Sequence, residues 1–220
     1  MASRGRKDAI PGADGSTIQQ SGSPNAETIA IYGADGILLS EGGTGFRKVN
    51  ITASGVINGG TSQIYAVKHP LTLIYNADEP HDWYTYAGNH NDALWGDGAE
   101  KSTYDPCPNG WRVPPDAEKT FGDFSADNFS YYIEGELIAT GDMNMTNGRN
   151  YLNVSWYPAG GYRHRNAGKL NSIGGNGYVW TSKPSSVVEF YAKNFMFTMT
   201  DQGFPSTARS YGFPVRCVQE

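Results

Sequence analysis

The sequence predicts a β-rich α+β fold in which short strands and long ordered loops outweigh a few short helices. Three observations predict it. Charge is low while glycine and aromatic residues are abundant: of 220 residues 18% are charged and 13% aromatic, with 28 glycines, a balance that suits strands and ordered loops better than a helical bundle. Apolar runs are short and punctuated by Gly, Asn, Asp and Pro, the residues that turn a chain between strands. The clearest helix-start signal is confined to one short segment after Trp111.

Taken in order, residues 1–25 are polar and partly basic with no apolar h-region. They are not a signal peptide and read as a flexible lead-in to a single domain over 26–220, of which 26–75 is the divergent strand-and-hairpin part. Export by another route, a longer parent chain and no export all remain open. Ala30-Ile31-Tyr32 and Ile37-Leu38-Leu39 flank Gly33-Ala34-Asp35-Gly36, and Val49–Ala53 runs towards Asn58-Gly59-Gly60; both read as short strands and hairpins. Gln63–Val67 leads through Pro70 to Leu71–Tyr75, a strand. Residues 76–103 have loop chemistry, with Trp83 and Trp95 as anchors into the core. Their oxygens (Asp78, Asp82, Asn91, Asp92, Asp97) could attract calcium, but their spacing follows no ligand order, so solvated turn carboxylates are expected. Pro114-Pro115 followed by Asp116 and Glu118 starts a short helix. Strands are expected over Glu136–Ala139, Tyr151–Tyr157, Gly177–Ser182, Val187–Ala192, Phe195–Met199 and Gly212–Val218.

Net charge of −5 without a basic run argues against nucleic acid. No apolar run approaches the length that crosses a bilayer, so no direct membrane insertion is expected. Scattered histidines, no Cys-x-x-Cys and no phosphate-cradling glycine loop leave no metal and no cofactor to expect. Nor does any nucleophile elbow appear, and Asp116, Glu118, Glu134 and Glu136 read as surface charge, so the chain is not expected to be an enzyme. Cys107, held between Pro106 and Pro108, and Cys217 are its only cysteines. They are either two buried thiols or one disulfide closing a loop of 110 residues.

Asp105-Pro-Cys-Pro-Asn-Gly-Trp-Arg-Val-Pro, Gly160-Gly-Tyr-Arg, Gly177-Tyr-Val-Trp-Thr-Ser and Ser210-Tyr-Gly-Phe-Pro-Val-Arg-Cys-Val occur in that order. Together with Gly5–Gly12 and Asn91–Asp97 they closely resemble the Fibrobacter succinogenes major paralogous domain of Bacteroidetes surface and fimbrillin-like proteins. The resemblance covers most of the chain and is weakest over 22–60. It implies a C-type-lectin-like fold, shared with the variable proteins that retroelements diversify in bacteria and phages, in which N- and C-terminal strands pair beneath a loop-rich layer. It also implies a Cys107–Cys217 disulfide fastening the chain end to the middle of the domain. Family members carry an early strand ahead of the Gly-Arg-Lys-Asp stretch, and here residue 1 falls almost at that stretch. That strand is therefore expected to come from elsewhere, to be replaced or to be missing. The Glu-Pro-Asn and Trp-Asn-Asp motifs of calcium-dependent lectins are absent, so that activity is not carried over. Neither is that of the formylglycine-generating enzymes, which needs a cysteine pair in the active site.

The segment 160–172 is glycine-framed, polar and locally cationic in an acidic protein. Such loops present side chains on a rigid frame, and Tyr, Arg, His and Asn are favoured recognition residues; a solvated hairpin is the alternative. The resemblance places ligand-facing positions here and after the Trp-Thr-Ser motif: Tyr162, Arg163, His164, Arg165, Asn166, Asn171, Tyr178, Lys183, Glu189, Tyr191, Lys193 and Asn194. Trp111 and Trp180 are expected in the core, with Trp156 more open. The expected function is a non-catalytic adhesin or receptor-binding module for a surface protein or glycan. It would sit on the outer cell surface, on a fibre, pilus or lipoprotein, with pilus subunits of its own assembly as further partners. A structural pilus or stalk subunit is the alternative, as is a phage tail receptor-binding protein, where free thiols would be expected.

Overall fold

The computed structural model describes residues 1–10, 12, 32–38, 47–88, 90–96, 100–122, 128–133, 136–138 and 147–220. The expectations for 13–25, Ala30-Ile31, Leu39, Asp97, Glu134 and Ala139 lie outside them. In chain order the elements are β1 (Ala2–Ser3), β2 (Arg47–Asn50), α1 (Gln63–Lys68), β3 (Thr72–Tyr75), a 3₁₀ turn (Asp92–Trp95), β4 (Trp111–Arg112) and α2 (Ala117–Phe121). These are followed by β5 (Phe129–Ile133), β6 (Glu136–Ile138), β7 (Gly148–Tyr151), β8 (Ser155–Pro158), β9 (Tyr162–Arg163) and β10 (Leu170–Asn171). The last are β11 (Gly177–Pro184), β12 (Tyr191–Phe197), β13 (Gln202–Gly203), β14 (Ser206–Ala208), β15 (Gly212–Phe213) and β16 (Val218–Gln219). The chain is thus β-rich with few, short helices.

The strands form small sheets. One runs β1-β15-β9-β10, a second builds β11, β13 and β14 around β12, and a third runs β6-β5-β7-β8; β4 pairs with β16, and β2 with β3. The expected helix is α2. Asp116 caps it by accepting from the Glu118 N–H, and Ala117 and Phe121, one turn apart, are its buried residues. Phe121 stacks on Phe195 of β12 at 5.0 Å. Gly177 has no side chain because a Cβ there would lie 2.1 Å from the Phe197 ring.

Residues 1–10, read as flexible from their polarity, are instead packed into the protein: Ala2, Ser3, Arg4, Arg6 and Ile10 are buried. The Ala2 carbonyl accepts from the Trp180 indole, that of Arg4 from Trp83 and that of Arg6 from Trp95. Three buried tryptophans therefore grip every second carbonyl from Ala2 to Arg6, a segment that turns at Gly5, and this satisfies each indole N–H. Strand β1 stands directly ahead of Gly5-Arg6-Lys7-Asp8 and pairs antiparallel with β15.

Other segments also depart from the reading. The 47–75 region is not a hairpin: β2 and β3 run parallel, with α1 in the connection between them. Helix α1 carries no start signal, since Ser62 makes no side-chain cap bond. The Arg6 guanidinium donates to the carbonyls of Ala66, His69 and Pro70 near the end of α1. Tyr151–Tyr157 divides into β7 and β8 at Leu152 and Asn153, both at positive φ, the geometry of a tight hairpin turn that a leucine does not advertise. Val187–Phe190 belongs to a turn, and β12 runs unbroken from Tyr191 to Phe197. Gly212–Val218 is interrupted after Phe213, where Pro214 cannot donate to a ladder. Trp111 is 45% exposed, because β4 turns Arg112 and Val113 inward instead.

Cys107 and Cys217 form a disulfide with Cα atoms 5.7 Å apart. Its loop is pre-shaped. The Asp105 carboxylate accepts from the N–H groups of Cys107 and Val113. The Lys101 ammonium pairs with Asp105 and donates to the carbonyls of Cys107, Pro108 and Trp111. Two prolines withhold their N–H groups, and one lysine satisfies the carbonyls they leave.

Candidate functional site: an aromatic cleft beside the β9–β10 loop

The β9–β10 hairpin pairs Tyr162 with Asn171 and Arg163 with Leu170, and Gly212 of β15 lies opposite Arg163. Gly161 enters it at φ +61°, where a Cβ would stand 2.2 Å from the Asn171 carbonyl. The loop is closed from within. The His164 N–H donates to the Lys169 carbonyl and the Gly168 N–H to the His164 carbonyl. His164 Nδ1 accepts from the N–H groups of both Asn166 and Ala167 at 3.2 Å, a role open only to a neutral imidazole. Burial, with the charge of Arg165 next, holds the His164 pKa below its ordinary value. Lys48 donates to the Asn166 carbonyl at 3.2 Å.

Between this hairpin and the returning chain lies an open cleft of about 150 Å3, lined by Tyr162, Tyr178, Thr207, Tyr211 and Phe213. Its rings support one another. Tyr162 meets Tyr178 edge-on at 5.3 Å and Tyr211 at 5.5 Å, and Tyr178 stacks on Phe213 at 4.6 Å. At the rim the His164 ring lies 5.4 Å from that of Tyr211, and the Arg165 guanidinium carbon 5.9 Å from it. Burial raises the pKa of Tyr178 and of Tyr211, so both hydroxyls stay protonated and can donate. No Asp or Glu occurs in 143–188 or 202–219, the two stretches that build cleft and rim.

The structure therefore brings Tyr162, His164, Arg165 and Tyr178 together, with Asn166 and Asn171 in the same hairpin, and the other expected residues are not among those that line the cleft. Arg163 is 1% exposed and Asn194 fully buried. Arg163 donates to the Gly168 carbonyl and Asn194 to Pro205 and Thr207, so both hold the frame and do not face a ligand. Lys183 pairs with Asp116 at 2.6 Å, Lys193 donates to the Phe204 carbonyl, and the carbonyls of Glu189 and Tyr191 accept from Arg209. Tyr211, Phe213 and Thr207 were missed. The signal for Tyr211 and Phe213 was the Ser210-Tyr-Gly-Phe-Pro run, whose alternating rings mark one face of a strand.

Exposed Trp156 packs edge-on to Tyr132 at 5.3 Å on a different sheet. Trp180, Trp83 and Trp95 are core residues. Among the residues suggested as calcium ligands, Asp82, Asn91 and Asp92 are otherwise engaged, Asn91 by accepting from the Ala93 N–H. Asp82 is buried, accepts from the Tyr84 N–H, and has its pKa raised by burial against the opposing charge of Arg209. Asp92 takes ion pairs from Arg209 and Arg4. A wider polar cleft of about 570 Å3, bordered by Gly59, Gly60, Tyr84, His90 and Asp92, lies over that cluster. Among the described residues no three His, Cys, Asp or Glu gather as metal ligands.

No family model, no curated protein and no solved structure matches the chain.

Proposed function

We propose that the chain is a non-catalytic ligand-binding module of the C-type-lectin-like kind. It serves as an adhesin or receptor-binding domain on a bacterial surface fibre, pilus or lipoprotein, or as the variable protein of a diversifying retroelement. The observation that carries this reading is the tyrosine cleft with the Arg165 loop at its rim. Rigid aromatic surface beside adaptable polar groups is what recognition sites are made of. Support for the fold comes from the pairing of β1 with β15 and from the disulfide between the middle and the end of the chain. Disulfides persist in oxidising surroundings, which favours the cell surface over a phage tail assembled in the cytoplasm. The structural-subunit reading finds less support, because β15 already has β1 on one side and β9 on the other and offers no open edge to a donated strand.

The test is capture of glycans and of host and bacterial surface proteins on an immobilised domain, with and without EDTA. The expected result is saturable binding that survives EDTA and weakens at least about tenfold in the Arg165→Ala, Tyr211→Ala double variant. Arg165→Glu controls for any loss of packing at Tyr211. Binding untouched by both variants would remove the cleft from the reading, and no binding to any member of the panel would return weight to a structural subunit.

A further inference from the structure

Resting on that reading, the chemistry of the cleft narrows the ligand. The chain has nine arginines. Eight of them are engaged. Arg4, Arg6, Arg149, Arg163, Arg209 and Arg216 donate to carbonyls or pair with carboxylates, and Arg47 and Arg112 are also engaged. Among the described residues Arg165 makes no hydrogen bond and no ion pair; it shares a shielded, unpartnered Nε with Arg4, Arg6, Arg112, Arg149 and Arg163, but each of those is engaged in another way. Its neighbour Asn166 likewise keeps a shielded, unpartnered Oδ1. A guanidinium is a planar fork matched to a carboxylate, and this one is held beside a tyrosine face without a polar partner.

The remainder of the cleft sets the shape of that anion. A space of about 150 Å3 holds roughly one six-membered ring. The walls are aromatic faces tipped with the hydroxyls of Tyr162, Tyr178, Tyr211 and Thr207, a combination that suits a ring with C–H faces and hydroxyl edges. No carboxylate occurs in either stretch that forms the site, so nothing there repels a negative ligand. An extended acidic peptide finds no free edge on β15, which is flanked by β1 and β9.

We propose that this cleft binds one carboxylate-bearing pyranose, a uronic-acid-type unit of an acidic glycan, with the ring against Tyr162, Tyr178 and Tyr211 and the carboxylate on Arg165. The wider cleft over Asp92 has no part in this.

The experiment titrates the whole chain with methyl β-D-glucuronide and with methyl β-D-glucoside, followed by calorimetry or NMR at low salt. The two differ only at C6. A charge-assisted pair contributes about 1.5–3 kcal/mol, so the glucuronide should bind at least about tenfold more tightly. Arg165→Gln should bring the two sugars within about twofold while melting stays unchanged, and Arg165→Lys should restore part of the preference. Equal binding of the two sugars, no binding of either up to their solubility, or a preference that survives Arg165→Gln would each overturn the acidic sugar. If the sugars fail while the Arg165 and Tyr211 variants still lose capture of a surface protein, this inference falls and the binding module stands.

Discussion

Arg4 and Arg209 share one carboxylate, Asp92, and give further N–H groups to the carbonyls of Ser182, Glu189, Phe190 and Tyr191. Arg165, in the β9–β10 loop, has the face of Tyr211 and no polar partner among the described residues. Both settings place cations beside aromatic or apolar surface in an acidic protein, yet they do opposite work. In the first, burial pushes the Arg4 pKa down to about 10, with the charge of Arg209 adding to it and Asp92 opposing. Its cations stay charged because carboxylates and carbonyls meet them on arrival, and the result is a fastening between the first residues, the 3₁₀ turn and β14's end. In the second the charge is left unanswered. Satisfied arginines belong to the frame, and an unsatisfied one marks where the frame meets something else.

The largest expected effect concerns the frame common to both settings. Replacing Cys107 and Cys217 together with alanine opens a loop of 110 residues and should cost roughly 4–5 kcal/mol by loop-closure entropy. Urea denaturation measures this, and ligand binding well below the new melting point should persist. Binding lost in a still-folded variant would mean that the disulfide shapes the cleft itself. Next in size is the contrast between the two arginines. Arg209→Ala leaves Asp92 to Arg4 alone, deprives buried Asp82 of a compensating charge and frees the carbonyls of Glu189, Phe190 and Tyr191, so stability should fall by about 1–3 kcal/mol. Arg165→Ala should shift it by no more than about 0.5 kcal/mol while abolishing preference for an anionic ligand. Similar losses in the two variants would erase the distinction.

The smallest effect is a pH dependence. The His164 pKa is lowered in the folded chain, so the unfolded state binds the extra proton first. The loop therefore contributes fully above the ordinary value of 6.5 and weakens as pH falls through it towards the folded pKa, below which the loss is complete. Wild type should thus lose more stability than His164→Gln between neutral and mildly acid pH. Parallel curves would show that the two N–H groups held by Nδ1 find other acceptors.

How far the sequence could be read follows from the range of each cause. Turn-punctuated strands, the cap at Asp116 and the anchoring tryptophans Trp83 and Trp95 depend on neighbours in sequence or on bulk apolarity, and all were legible. Helix α1 was not, because it has no side-chain cap at its start and Arg6, about sixty residues away, meets the carbonyls near its end. The burial of residues 1–10 was hidden by their polarity, since those polar groups are satisfied by tryptophans, carbonyls and carboxylates far along the chain.

By itself the sequence determined a β-rich, acidic chain with a locally cationic loop at 163–169 and one possible cysteine pair. Only the tertiary structure decided which cation faces outward. Arg163 and Arg165 are the same residue two positions apart, but Arg163 lies on β9 opposite Gly212, whose bare Cα leaves room for the arginine stem, and its guanidinium is buried against the Gly168 carbonyl. Arg165 lies beyond the strand, next to Tyr211 from the other end of the chain. The cleft itself exists because β15 lies beside β9 and carries its rings to Tyr162. That is a contact of register and chain return, set by free energy gained across many residues at once, and no local pattern of residues encodes it.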